Sequence, residues 1–255
     1  MTTGPDAGFA ARHAVLAAGY GHRADPDDPA LVLAMPLVLH IPKTEPPART
    51  EVLEAAAAAT VALCLDPRVG EGTDGEPGPW RDNYLAWTGA RIRKVARRAR
   101  GAQWTAVQDV DGVTVEVDGA QARAFVPGRV GALDQRVRKL QIGGTDLDHD
   151  EPGEPEPGLP VLWLNAELGM TVGKAAAQVG HAAMLLAGAM SAAQAQAWAS
   201  AGYRCSVRDA DAPTWARLVG LVDAGRAVAV RDAGFTEVAP GSMTVIATPN
   251  VPAAT

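Results

Sequence analysis

The side chains with the clearest chemical content lie in two stretches near the end of the chain. The first, 168–190, reads LGMTVGKAAAQVGHAAMLLAGAM. Its background is Ala, the strongest helix former; Thr171 suits an N-cap, and nothing between Lys174 and Leu186 breaks a helix. Against that background stand Lys174, Gln178 and His181, whose spacing puts them on one helical face within about two turns. A cation in the first turn adds its charge to the free N–H groups there, the combination that builds anion sites. The same spacing also fits a buried Ala-rich helix with one satisfied histidine and one snorkelling lysine. The second stretch, 231–244, reads RDAGFTEVAPGSMT and directly follows a predicted strand. Loops leaving strand ends are where α/β proteins hold ligand groups, so Asp232, Thr236 and Thr244 are candidates to converge there. Taken alone, Asp-Ala-Gly equally fits a plain turn.

The elements that must position these groups alternate along the second half. A buried strand is expected over 161–165, then the helix just described, a helix over 192–201 closed by Gly202, and a short strand over 205–208. A helix over 213–224 has Pro213 near its start and Gly225 past its end; strands follow over 227–231 and 242–248. Such alternation implies an α/β fold, a three-layer α/β/α arrangement around a small mixed sheet. Four segments are expected: a flexible start over 1–29 with a short helix at 9–18, an N-terminal α/β domain over 30–145, a linker over 146–160, and the C-terminal domain over 161–255. The linker (DLDHDEPGEPEPGLP) is too acidic and Pro-rich to bury a core.

Within the N-terminal domain, 31–41 (LVLAMPLVLHI) reads as a strand that Pro36 confines to a sheet edge or splits. An Ala-rich helix is expected over 49–65, with Val52, Leu53, Ala56 and Leu63 forming its stripe. The stretch 81–100 reads as a helix with Leu85, Ile92, Val95, Ala96 and Ala99 inward and Arg91, Arg93, Lys94, Arg97, Arg98 and Arg100 outward. Such a face is either simply solvated or a binder of phosphates, with the salt dependence that counterion release brings. Strands are expected over 103–110 and 113–117, joined by an Asp111-Gly112 hairpin turn, and over 123–126.

The net charge of −6 argues against a nucleic-acid partner on its own. From Leu159 onward, however, acidic and basic residues balance, and the excess acid lies earlier, much of it in loop-like segments. A protein can hold acidic loops and still present a basic face. Two cysteines far apart, Cys64 and Cys205, offer neither a disulfide framework nor a zinc site and suit a reducing compartment. No apolar run is long enough to span a bilayer and no leader pattern is seen, so a soluble cytoplasmic protein with no membrane role is expected.

Taken together, GKAAAQVGHAA and the later RDAGFTEVAPGSMTVIA resemble the type 2 peptidyl-tRNA hydrolases, the archaeal and eukaryotic kind, over about 159–249. The resemblance implies hydrolysis of the ester joining a peptide to the 3′ end of tRNA, in translation and ribosome rescue, with no metal and no organic cofactor. By position, Lys174, Asp232, Thr236 and Thr244 fall on residues proposed to act in that family, and Gly173, Gln178 and His181 on its helix motif, as substrate-binding residues. No Ser or Cys with a neighbouring base is seen, so direct attack by water is expected rather than a covalent intermediate. Four places depart from the family pattern. Val172 replaces a common Lys, Phe235 an Arg and Glu237 a Gln, and the last strand ends Thr248-Pro249-Asn250 rather than in Gly-Pro. These changes remove positive charge, or add negative charge, where a tRNA end would dock. The alternative is therefore a non-catalytic protein of the same fold that binds an RNA end or another ligand. The order of elements in the first half echoes the second without the Gly-Lys…Gln…His helix, as a decayed copy would. That suggests a pseudo-dimer within one chain, or else a homodimer. The first half would then supply tRNA phosphate contacts from Arg91, Arg93, Lys94, Arg97 and Arg98.

Overall fold

Two alanine-rich helices lie at the centre of the molecule, where small side chains let them approach closely. The computed structural model describes residues 6–21, 23–72, 75–232 and 237–249. The first half comprises α1 (Ala7–Ala17), β1 (Leu33–His40), α2 (Arg49–Cys64), α3 (Arg81–Thr88), β2 (Arg93–Ala99), α4 (Ala102–Val107), β3 (Gly112–Val117), β4 (Ala120–Phe125), β5 (Gly128–Arg129) and α5 (Gln135–Arg138). The second comprises β6 (Val161–Asn165), α6 (Val172–Ala189), α7 (Ala192–Ser200), β7 (Ser206–Ala210), α8 (Ala212–Asp223), β8 (Val228–Arg231) and β9 (Met243–Thr248).

The strands form two sheets. The first has the order β2-β1-β4-β3, with β5 beside β1, and the second has the order β7-β6-β9-β8. β1–β2 and β6–β7 are parallel; β1–β4, β3–β4, β6–β9 and β8–β9 are antiparallel. Helices α2 and α6 pack on each other between the sheets. α2 lies on β3 and β4 and reaches the edge strand β7, while α6 lies on β8 and β9 and reaches the edge strand β2. One apolar cluster runs through both halves, joining Leu37, Leu39 and Leu53 to Leu162, Leu164 and Val179. Trp104, Val107, Val137 and Leu140, from α4, α5 and the residues beside α5, cover the outer face of the first sheet. On the second sheet α8 does the same through Leu218 and Trp215 over Ile246. The expected α/β class, with mixed sheets flanked by helices, is what the chain adopts.

Close approach of the central helices depends on Gly180. A Cβ there would sit 2.5 Å from the hydroxyl oxygen of Thr60, which is fully buried and donates to Ala56 C=O (2.8 Å). Gly180→Val should therefore force the helices apart and lower stability by about 1–3 kcal/mol, read as a lower urea midpoint.

Several first-half expectations need correction. The stretch 81–100 is not one helix: α3 ends at Thr88, Gly89 caps it, and the basic run continues as β2. Ile92, Lys94 and Ala96 alternate toward the core, a period of two that the density of cations obscures. The segment 103–110 is largely helix α4, which uses Trp104 and Val107 to cover the sheet. The hairpin turn is at Asp118-Gly119, both at positive φ, rather than at Asp111-Gly112. Nor does Pro36 confine β1 to an edge, because β1 is central and continuous. Ile41 N–H donates to Ala99 C=O, so odd residues of β1 face β2. The missing Pro36 N–H thus faces the other side, where pairing stops at Leu37–Ala124 and resumes at Ala34–Gly128.

The stretch 146–160 contains no helix or strand, yet it is tied down along its length. Asp150 accepts from Thr50 N–H and hydroxyl (both 3.0 Å), Gly153 C=O accepts from Arg208 (2.8 Å), and Glu156 N–H donates to Ser206 Oγ (3.0 Å). Among the described residues no helix is long and apolar enough to cross a membrane.

Candidate active site

The start of α6 is fixed by three side chains. Thr171 Oγ1 accepts Lys174 N–H (3.3 Å), and Thr145 Oγ1, from outside the helix, accepts Gly173 N–H (3.0 Å). Glu237 accepts both the N–H (3.0 Å) and the hydroxyl (2.8 Å) of Thr171. The N–H groups of Gly173 and Lys174, expected to be open to an anion, are thus already satisfied within the chain. The charge at this end of the helix is that of the Lys174 side chain, in the first turn.

That side chain reaches Asp232. Between Val230 and Arg231 the β8–β9 register shifts, an irregularity that re-aims the residue following the strand. Asp232 N–H donates to Ser242 C=O (2.9 Å) and its own C=O accepts Gly241 N–H (2.7 Å), which locks the backbone there. Lys174 Nζ donates to Asp232 Oδ2. Gln178 Nε2, one turn further along α6, donates to the same oxygen (2.8 Å), and Thr244 Oγ1 on β9 donates to Gln178 Oε1 (2.7 Å). The threonine therefore sets the orientation of the amide, and the amide sets the carboxylate. Lys174 and Asp232 side chains are only 10% and 8% exposed. Burying such a pair contributes little to stability compared with apolar residues of the same size. Its value lies in the preorganised charges it offers a reacting group.

Of the sequence-derived candidates, Lys174, Gln178, Asp232 and Thr244 are brought into one hydrogen-bonded chain, with Gly173 beside it at the helix start. Thr236 lies outside the described residues. His181 is further down α6 and apart from that chain. Its ring meets the edge of Tyr20 (5.5 Å between centroids), and its buried Nε2 has no hydrogen-bond partner. Burial, helped by the nearby Lys94 charge, holds the imidazole well below its ordinary range, so it is neutral at physiological pH.

A cavity of about 620 Å³ lies over these groups. α6 supplies one wall, with Lys174, Ala177, Gln178 and His181; residues 91–96, Tyr20 and Ile142 of the first half supply the other. The first-half cations divide accordingly. Arg91 and Arg93 line the cavity and both pair with Asp25. Lys94 also lines it, but its ammonium is buried without a hydrogen-bond partner and sits 5.2 Å from the centre of the Trp87 ring. Burial pushes that ammonium down to about 8. Arg97 turns away, donating to Arg138 C=O (3.3 Å) and Leu140 C=O (2.7 Å), and Arg98 pairs with the Gln141 side chain. No three His, Cys, Asp or Glu side chains gather to hold a metal ion among the described residues.

Residues 160–254 match the family model described as peptidyl-tRNA hydrolase PTH2. No curated protein and no solved structure matches the chain. The match supports peptidyl-tRNA hydrolase activity, a step of translation, at the level of the family. The matched segment starts one residue before β6 and holds Lys174, Gln178, His181, Asp232 and Thr244. Tyr20, β2, Ile142 and Thr145, which complete the cavity and the helix start, lie before it. No local pattern marks them: Thr145 stands in a polar stretch and meets Gly173 only through the fold. Glu237, a departure from the hydrolase pattern by its charge, has a structural role as the carboxylate that holds Thr171.

Proposed function

We propose that the chain hydrolyses the ester between a peptide and the 3′ end of tRNA by direct attack of water at the Lys174–Asp232 pair. The observation that carries this reading is the convergence of Lys174 and Gln178 on one oxygen of Asp232, at the floor of a cavity of substrate size. Asp232 positions a water and takes its proton as the water oxygen attacks the ester carbonyl. Lys174 faces the negative charge that develops on the carbonyl oxygen. The carbonyl–ribose bond then breaks, and the ribose oxygen leaves with a proton returned from the carboxyl group. Thr244 and Gln178 hold the carboxylate in place; Gly173 and His181 belong to the substrate side of the same site. Cys64 and Cys205 are buried, with thiols pushed far up by desolvation, Cys64 to about 12, so neither serves as a nucleophile. Both charges the reaction needs come from Lys174 and Asp232, so it requires no metal or organic cofactor. In this reading it takes place in the cytoplasm and recycles tRNA from stalled translation.

The first half is then a decayed copy of the second, 30–145 against 161–255, joined through 146–160 as a pseudo-dimer. Support comes from the shared strand order and from a repeated detail: Trp87 Nε1 donates to Arg93 C=O (3.0 Å) and Trp198 Nε1 to Arg204 C=O (2.7 Å), each six residues on. The third residue of α6 is Lys174, whereas the third of α2 is Glu51, so the cation is absent from the first copy. What the first half contributes instead is a cationic wall, with Arg91 and Arg93 as phosphate contacts replacing the charge lost at Val172; the Lys94 ammonium is buried behind them. Glu237 at the helix start favours the second reading, a protein that binds an RNA end without cleaving it. Binding of tRNA measured against salt concentration, beside release of the peptide, separates the two. Binding with release supports the hydrolase, and salt-dependent binding without release selects the alternative.

A further inference from the structure

β2 is an edge strand, and that edge forms one wall of the cavity. Ala99 C=O accepts from Ile41 N–H on the β1 side, whereas Arg98 N–H donates away from β1, to Gln141 C=O (3.0 Å). Successive residues of a strand direct their backbone groups to opposite sides. Odd residues of β2 therefore pair with β1, and Lys94, Ala96 and Arg98 turn outward. Arg98 is closed off by Gln141. The outward N–H and C=O groups of Lys94 and Ala96 have no hydrogen-bond partner among the described residues.

The other half contains the same edge, filled. The two Trp-to-carbonyl bonds align residue 93 with 204, and the ladder pairs Pro36–Val95 and Val161–Ser206 keep that offset, so Ala96 corresponds to Val207. Ser206 N–H donates to Pro160 C=O on the β6 side, so Val207 faces outward as Ala96 does. Val207 N–H donates to the carboxylate of Glu54 (2.9 Å). Glu54 is the sixth residue of α2; the sixth of α6 is Ala177, which lines the cavity. Where one helix fills the strand edge with an acceptor, the other stops short and leaves room for one.

We propose that the peptide moiety of the substrate binds as an added strand on the free edge of β2, exchanging main-chain hydrogen bonds with Lys94 and Ala96; this rests on the hydrolase reading above. Strand addition uses only backbone groups, which every peptide carries, so it suits an enzyme that meets peptides of any sequence. Tyr20 and Ile142, the latter 57% exposed, offer apolar surface to side chains without selecting one. The Arg98–Gln141 bridge ends the free edge on one side. At about 3.3 Å per residue, the open stretch from 92 to 96 accommodates roughly three or four peptide residues.

The test is a scan of single N-methylations along the four peptide residues nearest the ester, in peptidyl-tRNA given to the wild-type protein. Amides facing the edge recur at every second residue, so kcat/KM should fall about tenfold at alternate positions and little between them. Changing side chains at those positions should leave kcat/KM within about threefold. A second arm removes the donor from the protein. Ala96→Pro deletes an outward N–H without touching the β1 ladder, and should lower the preference for a peptidyl over an N-acetyl-aminoacyl ester at least tenfold. Hydrolysis insensitive to N-methylation at every position, or a preference unchanged by Ala96→Pro, overturns strand addition and leaves the hydrolase reading standing. Failure of the wild type to hydrolyse any of these esters removes the hydrolase reading and the inference with it.

Discussion

Lys174→Met is expected to lower peptide release from peptidyl-tRNA by at least about 100-fold, the scale of losing one preorganised donor to a developing oxyanion. The variant keeps the length of the side chain, so the helix and cavity persist. What it removes is an ammonium paired with a carboxylate only 8% exposed. Breaking that buried ion pair should cost about 3–5 kcal/mol of stability at neutral pH. Adding Asp232→Asn relieves the cost, since the neutral amide still fits beside Gln178 and neither substituted side chain carries a charge to be satisfied. The double variant should thus melt above Lys174→Met while being no more active. Activity losses should be non-additive, because the two side chains act as one unit. Melting curves and kcat/KM for the two single variants and the double variant check this. Additive losses in kcat/KM, or recovery of activity together with stability, would show that the pair is structural.

Lys94→Met should have the opposite sign on stability. Its ammonium is buried without a hydrogen bond, and desolvation holds it near 8 in the folded protein against about 10.4 in an unfolded chain. A base whose folded value is depressed is protonated in both states below about pH 8, and the folded state then bears the full desolvation cost, up to about 3 kcal/mol. Between about 8 and 10.4 the unfolded chain binds more protons, so the cost fades as pH rises, and above that window it is gone. Lys94→Met should therefore be more stable than wild type by about 1–3 kcal/mol at pH 7, after the loss of the Trp87 contact is counted. The advantage should vanish toward pH 10.5. Cys64, pushed up to about 12, makes both proteins less stable above about pH 9. The Lys94 charge pulls the Cys64 thiol down in the wild type alone, so that slope differs between the two, and the fading of the advantage is read between pH 7 and about pH 9. Urea midpoints at several pH values give the answer; a variant less stable than wild type at pH 7 would mean that Lys94 is satisfied in the fold.

How much of this was legible before the fold was known differs between the halves. In the second half each element is local and separately marked: Thr171 caps α6, Pro213 opens α8, and β6 is a continuous apolar run between breakers. The hydrogen-bonded site was legible because Lys174 and Gln178 share a helical face and Asp232 and Thr244 flank one loop. In the first half the marks conflict. The cations of β2 read as a helix face because nothing local shows that Ile92, Lys94 and Ala96 meet α6. Pro36 suggests an edge because the gap between β4 and β5 that accommodates it lies some ninety residues away. The cavity wall made by Tyr20, β2 and Ile142 is built only when α2 and α6 pack, so no stretch of chain announces it.

In the proposed reaction the Lys174–Asp232 pair, held by Gln178 and Thr244, cleaves the ester of peptidyl-tRNA. The most direct measurement is single-turnover release of a labelled peptide from peptidyl-tRNA by saturating wild-type protein, with Lys174→Met in parallel. Release by the wild type at a rate at least about 100-fold above that variant is the result expected. Release no faster than Lys174→Met, from tRNA that both proteins hold, would contradict it.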